Sequence, residues 1–185
     1  PHHTHAHAHQ DLTADLSEAQ LYLSAALSDR EAVIVIDNRG TIQLANRAAH
    51  NMFGYPVGAM ERQNVAMLMP PPFAQQHDGY LQNYMNTGKR RILDSVRSVI
   101  AIHAQRYVFP ISICVTEVSR MGTGSTAEAT FLGVVKPIPP VVGTAKAWVL
   151  MSGALLCVDQ GFSAALGWAP GETIGKELAS FLWAD

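Results

Sequence analysis

Charged side chains are scarce in this chain: they make up 15% of its 185 residues, against 48% hydrophobic. So low a charge density excludes a largely disordered polymer and predicts a sizeable buried core. The net charge of −2 provides no general attraction to nucleic acid or to an anionic membrane. No apolar run approaches the roughly 18 residues that a membrane span needs, and no signal peptide is visible. Cysteine is nearly absent. Cys114 and Cys157 each lie inside an apolar run, which reads as two buried free thiols in a reducing compartment rather than a disulfide. The expected location is cytoplasmic, with a membrane-anchored parent protein left open. A nucleophile elbow, a zinc-protease motif, a P-loop and a kinase signature are also missing, so no catalytic site and no enzymatic activity are expected.

What is present falls into segments. Residues 1–10, PHHTHAHAHQ, hold five of the eight histidines. With no apolar anchor and at a terminus, they read as a tag or low-complexity tail, a loose nickel or zinc tract being the alternative. Residues 11–29 carry the pattern of an amphipathic helix, with Asp11 or Thr13 as its cap. Its apolar seam of Leu12, Leu16, Ala19 and Leu23 suits either packing on its own domain or a homodimer contact.

Beyond it, Val33–Asp37 and Thr41–Ala45 read as a hairpin around the turn Asn38–Gly40. RAAHNMFG is a short helix closed by Gly54. NVAMLMPPP is a helical turn stopped by Pro70–Pro72. A further helix runs to Gly88, and the apolar runs Ile92–His103, Tyr107–Val118 and Thr130–Pro137 read as strands. The order predicts an α+β fold over residues 30–137: a five-stranded antiparallel sheet with short helices on one face, preceded by the amphipathic N-terminal helix.

Residues 138–146 form a proline-rich linker. Past it the chain repeats itself without a gap at a shift of 113 positions. Gly40 meets Gly153, Leu44 meets Cys157, Asn46 meets Asp159, Gly54 meets Gly167 and Leu68 meets Phe181. Residues 147–185 are therefore expected to be the N-terminal part of a second domain of the same kind. Its unfinished sheet is expected to pair with the first domain or with a second chain.

Two motifs carry little. GTGSTA at Gly122–Ala127 fits a dinucleotide fingerprint but has a strand after it where a helix is required. GKRR at Gly88–Arg91 lacks the interleaved aromatics of a nucleic-acid surface. His77 carries more. In AQQHDGYLQNYMNTG it shares a helical spacing with Phe73, Tyr80, Leu81 and Tyr84. It is a packed core histidine, a solvent-facing one at the edge of the stripe, or a ligand aimed into a pocket.

The combination of VIVIDNRGTIQLANRAAHNMFGY, GAMERQNVAMLMP and RYVFPISICV resembles the PAS family of sensory signalling modules over about residues 31–137. NVAMLMPPPFAQQHDGYLQNYMNTG is more closely similar to FixL-type haem-binding PAS domains, and also to PAS segments of tiny-macrocysts-type membrane proteins. The FixL-type resemblance implies haem b, with His77 as the iron ligand and O₂, CO or NO as the partner. It also implies Arg97 as hydrogen-bond donor to bound oxygen or a propionate, Ile92, Ile113 and Val115 as the apolar residues over the iron, and Tyr80 as a helix tyrosine near the ligand. Asn83 departs from the pattern, which has a propionate-binding arginine there. The helical region that carries a reactive cysteine in flavin-binding light sensors has none in this chain. A cofactor-free dimerisation and relay module is the alternative function.

Overall fold

The computed structural model describes residues 30–88, 93–121 and 128–182. The His-rich tail, the N-terminal helix with its seam of Leu12, Leu16, Ala19 and Leu23, and Ile92 lie outside the described residues.

Strand β1, Ala32–Asp37, has the β-branched run Val33, Ile34, Val35 and Ile36 buried on both faces, which is the environment such residues suit. Asp37 then builds the turn: its Oδ1 accepts from the backbone N–H groups of Arg39 and Thr41, each at 2.9 Å. Gly40 takes the left-handed conformation the turn needs, with φ +81°. The chain returns as β2, Ile42–Ala45. Helix α1, Arg47–Phe53, is capped by Asn46 and closed by Gly54 in the αL conformation, as the sequence predicts. A 3-10 helix, Val65–Leu68, and helix α2, Phe73–Thr87, lead to β3 (Val96–Ile102), β4 (Val108–Met121) and β5 (Glu128–Pro137).

These five strands form one antiparallel sheet in the order β2-β1-β5-β4-β3. The core lies on one face, where Ile34, Ile36, Phe131 and Val135 of the sheet meet Phe53, Met60, Val65 and Leu68 of the helical segment. Cys114 and Cys157 are both free, the first half-buried and the second buried. No helix among the described residues is long and apolar enough to cross a membrane.

The unit of hairpin plus capped helix recurs. Strands β6 (Ala147–Val149) and β7 (Leu155–Val158) pair as a second hairpin, followed by α3, Gln160–Leu166, with Asp159 as N-cap and Gly167 as αL C-cap. Asn46 Oδ1 accepts from Val33 N and Ala49 N. Asp159 Oδ1 accepts from Lys146 N and Phe162 N, the same three positions moved by 113 residues. The second hairpin meets the first sheet where β3 turns into β4. Val108 forms a parallel bridge with Asp159, and Ile102, Val108, Cys157 and Trp148 pack into one cluster. The short helices α4, Pro170–Thr173, and α5, Ala179–Leu182, complete the second unit.

Candidate functional site

Three consecutive prolines precede α2, and its N-cap, Pro72, makes no side-chain cap bond. Gly88, at φ +63°, ends it. The helix has no fully buried residue. Its half-buried stripe is Ala74, His77, Leu81, Tyr84 and Met85, at helical spacings. The spacing expected from sequence also included Phe73 and Tyr80, but these are 49% and 54% exposed. The stripe is therefore rotated toward Met85. Tyr80 turns outward and donates its hydroxyl to Gln76 Oε1 at 2.7 Å.

His77 sits inside this stripe, with its side chain 20% exposed. Its Nδ1 is buried and has no hydrogen-bond partner. The nearest carboxylate oxygen, Asp78 Oδ1, is 3.9 Å away, beyond hydrogen-bond reach. Desolvation by burial lowers the His77 pKa, and the nearby Asp78 charge opposes that shift. The ring is thus held in its neutral form at pH 7, the form that ligates metals.

Strand β4 carries the apolar candidates Ile113 and Val115. Both are half-buried and pack on the core. Arg97 on β3 is the cross-strand partner of Ile113, so both lie on the same sheet face; Arg97 is solvent-exposed. Leu93 bridges to Val115. The structure puts Ile113, Val115 and Arg97 on one sheet face and His77 on the half-buried stripe of α2, turns Tyr80 outward, and leaves Ile92 outside the described residues. Asn83 is exposed.

Two polar features of the region escaped the sequence reading. Tyr84 OH donates to Glu117 Oε2 at 2.5 Å, and the Tyr84 ring meets Phe131 edge-on at 5.7 Å. A lone acid inside the apolar Tyr107–Val118 run was the available signal for Glu117. The second is His50, 1% exposed. Its Nδ1 lies 3.0 Å from Asn46 O, and its Nε2 accepts from Gly58 N–H at 3.1 Å, with Glu61 Oε2 3.2 Å away. Between α2 and the β1–β2 turn a cleft of about 460 Å³ is lined by Asn38, Arg39, Asp78, Gln82, Met85 and Asn86; it does not include His77. Among the described residues no cluster of three or more His, Cys, Asp or Glu side chains is placed to hold a metal ion. Haem needs only one imidazole from the protein.

A family model described as the PAS fold matches residues 28–138. The chain is 33% identical over 108 residues to the sensor protein FixL of Bradyrhizobium diazoefficiens, covering 58% of this chain and 20% of that protein. It is 30% identical over 151 residues to a probable serine/threonine-protein kinase of Dictyostelium discoideum, covering 82% of this chain and 10% of the kinase. The chain thus spans a fifth or less of these two relatives. Among solved structures, a PAS domain from Colwellia psychrerythraea aligns with a TM-score of 0.50 at 17% identity, covering 65% of this chain and 95% of that one. A LOV protein of Rhodobacter sphaeroides aligns with the same score and identity, covering 66% and 68%. At these identities the two structures speak for the fold alone.

Proposed function

Given that this chain belongs to the PAS family, whose members are sensory and signalling modules, we propose that it is a haem-based sensor of diatomic gases with His77 as the iron ligand. The observation that carries this reading is the His77 imidazole: half-buried, its pKa lowered by burial, without a hydrogen-bond partner on Nδ1, and on the stripe of α2 whose Leu81, Tyr84 and Met85 pack on the same core as Ile113 and Val115. These residues fit the group. The branched aliphatics of β4 make the apolar wall a porphyrin needs, and Arg97 supplies a cation on the same sheet face. Haem b, when bound, supplies an iron that takes O₂, CO or NO. The chain's own residues hold the ring, exclude water from one side and place a donor near it. The identity to FixL over 108 residues supports the reading. Exposed Asn83, where a second cation is implied by the resemblance, leaves Arg97 with more of the charge to balance.

A cofactor-free relay module is the second reading. The docking of the second hairpin on Ile102 and Val108 favours it, because a packed contact joins the two repeated units. Both readings take residues 147–185 as the start of a second PAS domain and place a homodimer contact on the Leu12–Leu23 seam.

Titration of the purified protein with haem, followed by absorption, separates the two. We expect a saturable Soret band in the wild type that His77→Ala abolishes while the circular dichroism of the fold persists. Arg97→Ala should retain haem and lose O₂ affinity more than CO affinity, since bound O₂ carries more negative charge. No uptake by the wild type, or unchanged uptake by His77→Ala, ends the haem reading.

A further inference from the structure

The internal repeat offers a control for His50. Moved by 113 residues, His50 becomes Ser163 and Glu61 becomes Ile174. The second unit still builds the capped helix α3, so the helix does not require the pair. The stretch that follows differs. Residues 57–60 form a turn, with Gly58 at φ +86°, whereas their counterparts Pro170–Thr173 wind into α4. What the first unit has in place of that helix is a tie to a buried ring. His50 is 1% exposed, and one of its nitrogens faces two competing partners. Asn46 O can only accept, so Nδ1 carries a proton toward it at 3.0 Å. Nε2 then has either a lone pair or a second proton to offer. Gly58 N–H, at 3.1 Å, needs the lone pair. The Glu61 carboxylate, with Oε2 at 3.2 Å, needs the proton. A bare Nε2 beside a bare carboxylate sets two acceptors against each other. Among the described residues no other charged or titratable side chain bonds to either group. Arg47 and Arg62, the nearest cations in sequence, are exposed and pair with neither.

We propose that His50 and Glu61 form a one-proton switch that sets the turn at residues 56–61. With the extra proton, Nε2–H donates to Glu61 and Gly58 N–H is released. Without it, Nε2 holds Gly58 N–H, and Glu61 turns Oε2 to solvent while its Oε1 stays on Ala45 N–H, 3.3 Å away. Both settings satisfy the buried ring. Gly58 is exposed, with open space where a Cβ would lie, so water takes its N–H on release. The Glu61 side chain is 30% exposed, so water takes the freed carboxylate oxygen. Met60, at 0% exposed, anchors the turn in both settings. Histidine is the side chain whose charge ordinarily changes between about pH 5 and 8. The switch gives this PAS unit an input by proton that shares no residue with the His77 region, and it does not rest on the haem reading.

The test is a residue-resolved NMR titration of the full chain from about pH 5 to 8.5. It follows the His50 ring nitrogens, the Glu61 carboxyl carbon and the Gly58 amide. We expect all three to change with one midpoint. On the acid side of it the Gly58 amide should lose protection, measured against its intrinsic exchange rate at each pH. His50→Gln should remove the step from the Gly58 amide. Glu61→Gln keeps the shape but not the charge, and it should move the midpoint to lower pH because the imidazolium loses its carboxylate. A Gly58 amide that ignores pH in the wild type, a step that survives in His50→Gln, or a midpoint unmoved in Glu61→Gln would each overturn the switch. The wild-type and Glu61→Gln titrations decide the matter even where His50→Gln does not fold.

Discussion

Replacing Asn46 by Ala should destabilise the first repeated unit far more than replacing its counterpart Asp159 destabilises the second. Asn46 is 4% exposed. Its Oδ1 accepts from Ala49 N and from Val33 N, each at 2.9 Å, and its Nδ2 donates to Glu31 O at 2.8 Å. Loss of the helix cap costs about 1 kcal/mol. The Val33 N–H is buried and would be left without its acceptor, which costs roughly a further 1–2 kcal/mol. The sum is about 2–3 kcal/mol. Asp159 makes the same pair of bonds, but the Lys146 N–H it accepts from is exposed. Water can replace that bond, so Asp159→Ala should cost only the cap, about 1 kcal/mol. Urea unfolding reads both. The three tryptophans, Trp148, Trp168 and Trp183, all lie in the second unit, so their fluorescence follows that unit while far-UV circular dichroism follows the whole chain. An Asn46→Ala cost below about 1 kcal/mol, or equal costs for the two variants, would refute the argument from burial.

A second internal pair tests backbone strain. Gly54 and Gly167 have φ +76° and +75°, so alanine at either should lose about 1 kcal/mol. A Cβ at Gly54 would also lie 2.2 Å from the His103 ring, whereas Gly167 faces open space. Thermal melts should show Gly54→Ala falling well below Gly167→Ala, and equal melting temperatures would exclude the clash. For acid sensitivity, burial lowers the pKa values of His77 and His103 below the ordinary 6.5. The unfolded chain then binds protons that the native protein refuses, so stability is full above about pH 6.5 and falls as pH drops below it. His77→Gln should flatten the dependence of the urea midpoint between pH 7.5 and 5.5; an unchanged slope would show that the ring carries no part of it.

Much of the fold was legible because its punctuation is chemical. The β-branched run Ala32–Ile36, the Asp37 turn, the Asn46 cap and the Gly54 stop each have one good physical reading, and the structure uses them that way. The start of β3 was not legible. The apolar run begins at Ile92, but Asp94 adopts φ +58° and Leu93 crosses to bridge Val115, so the strand begins only at Val96. The far end of β4 was missed for a different reason. Arg120 and Met121 pair with Ala129 and Glu128 through the backbone, which leaves no mark in side-chain hydropathy. Ile113 and Val115 entered the candidate site through the family resemblance, and the side-chain pattern of the strand did not by itself single them out. The exact face of α2 was not legible, because helical spacing alone does not say that the aromatics Phe73 and Tyr80 lie on the exposed side of the stripe. His50 was invisible for a related reason: a histidine within a short helix does not announce that it will be buried or that its partners are a backbone carbonyl, a backbone amide and Glu61.

The proline-rich linker invites a cut after residue 138, and the cluster at the β3–β4 turn shows what such a cut would do. Ile102 and Val108 are 3% and 0% exposed, and Cys157, at 1%, is among the groups that cover them together with Trp148. Shortening the chain at the linker strips that cover and leaves two branched aliphatics bare at a sheet corner, beside Tyr107 and Phe109. A bare apolar corner of this kind is a sticky spot. The shortened piece would clump or pair through a surface that the longer chain never offers, and an oligomeric state measured on it would describe the wound rather than the molecule. A soluble piece suited to biophysical work should therefore run at least through α3.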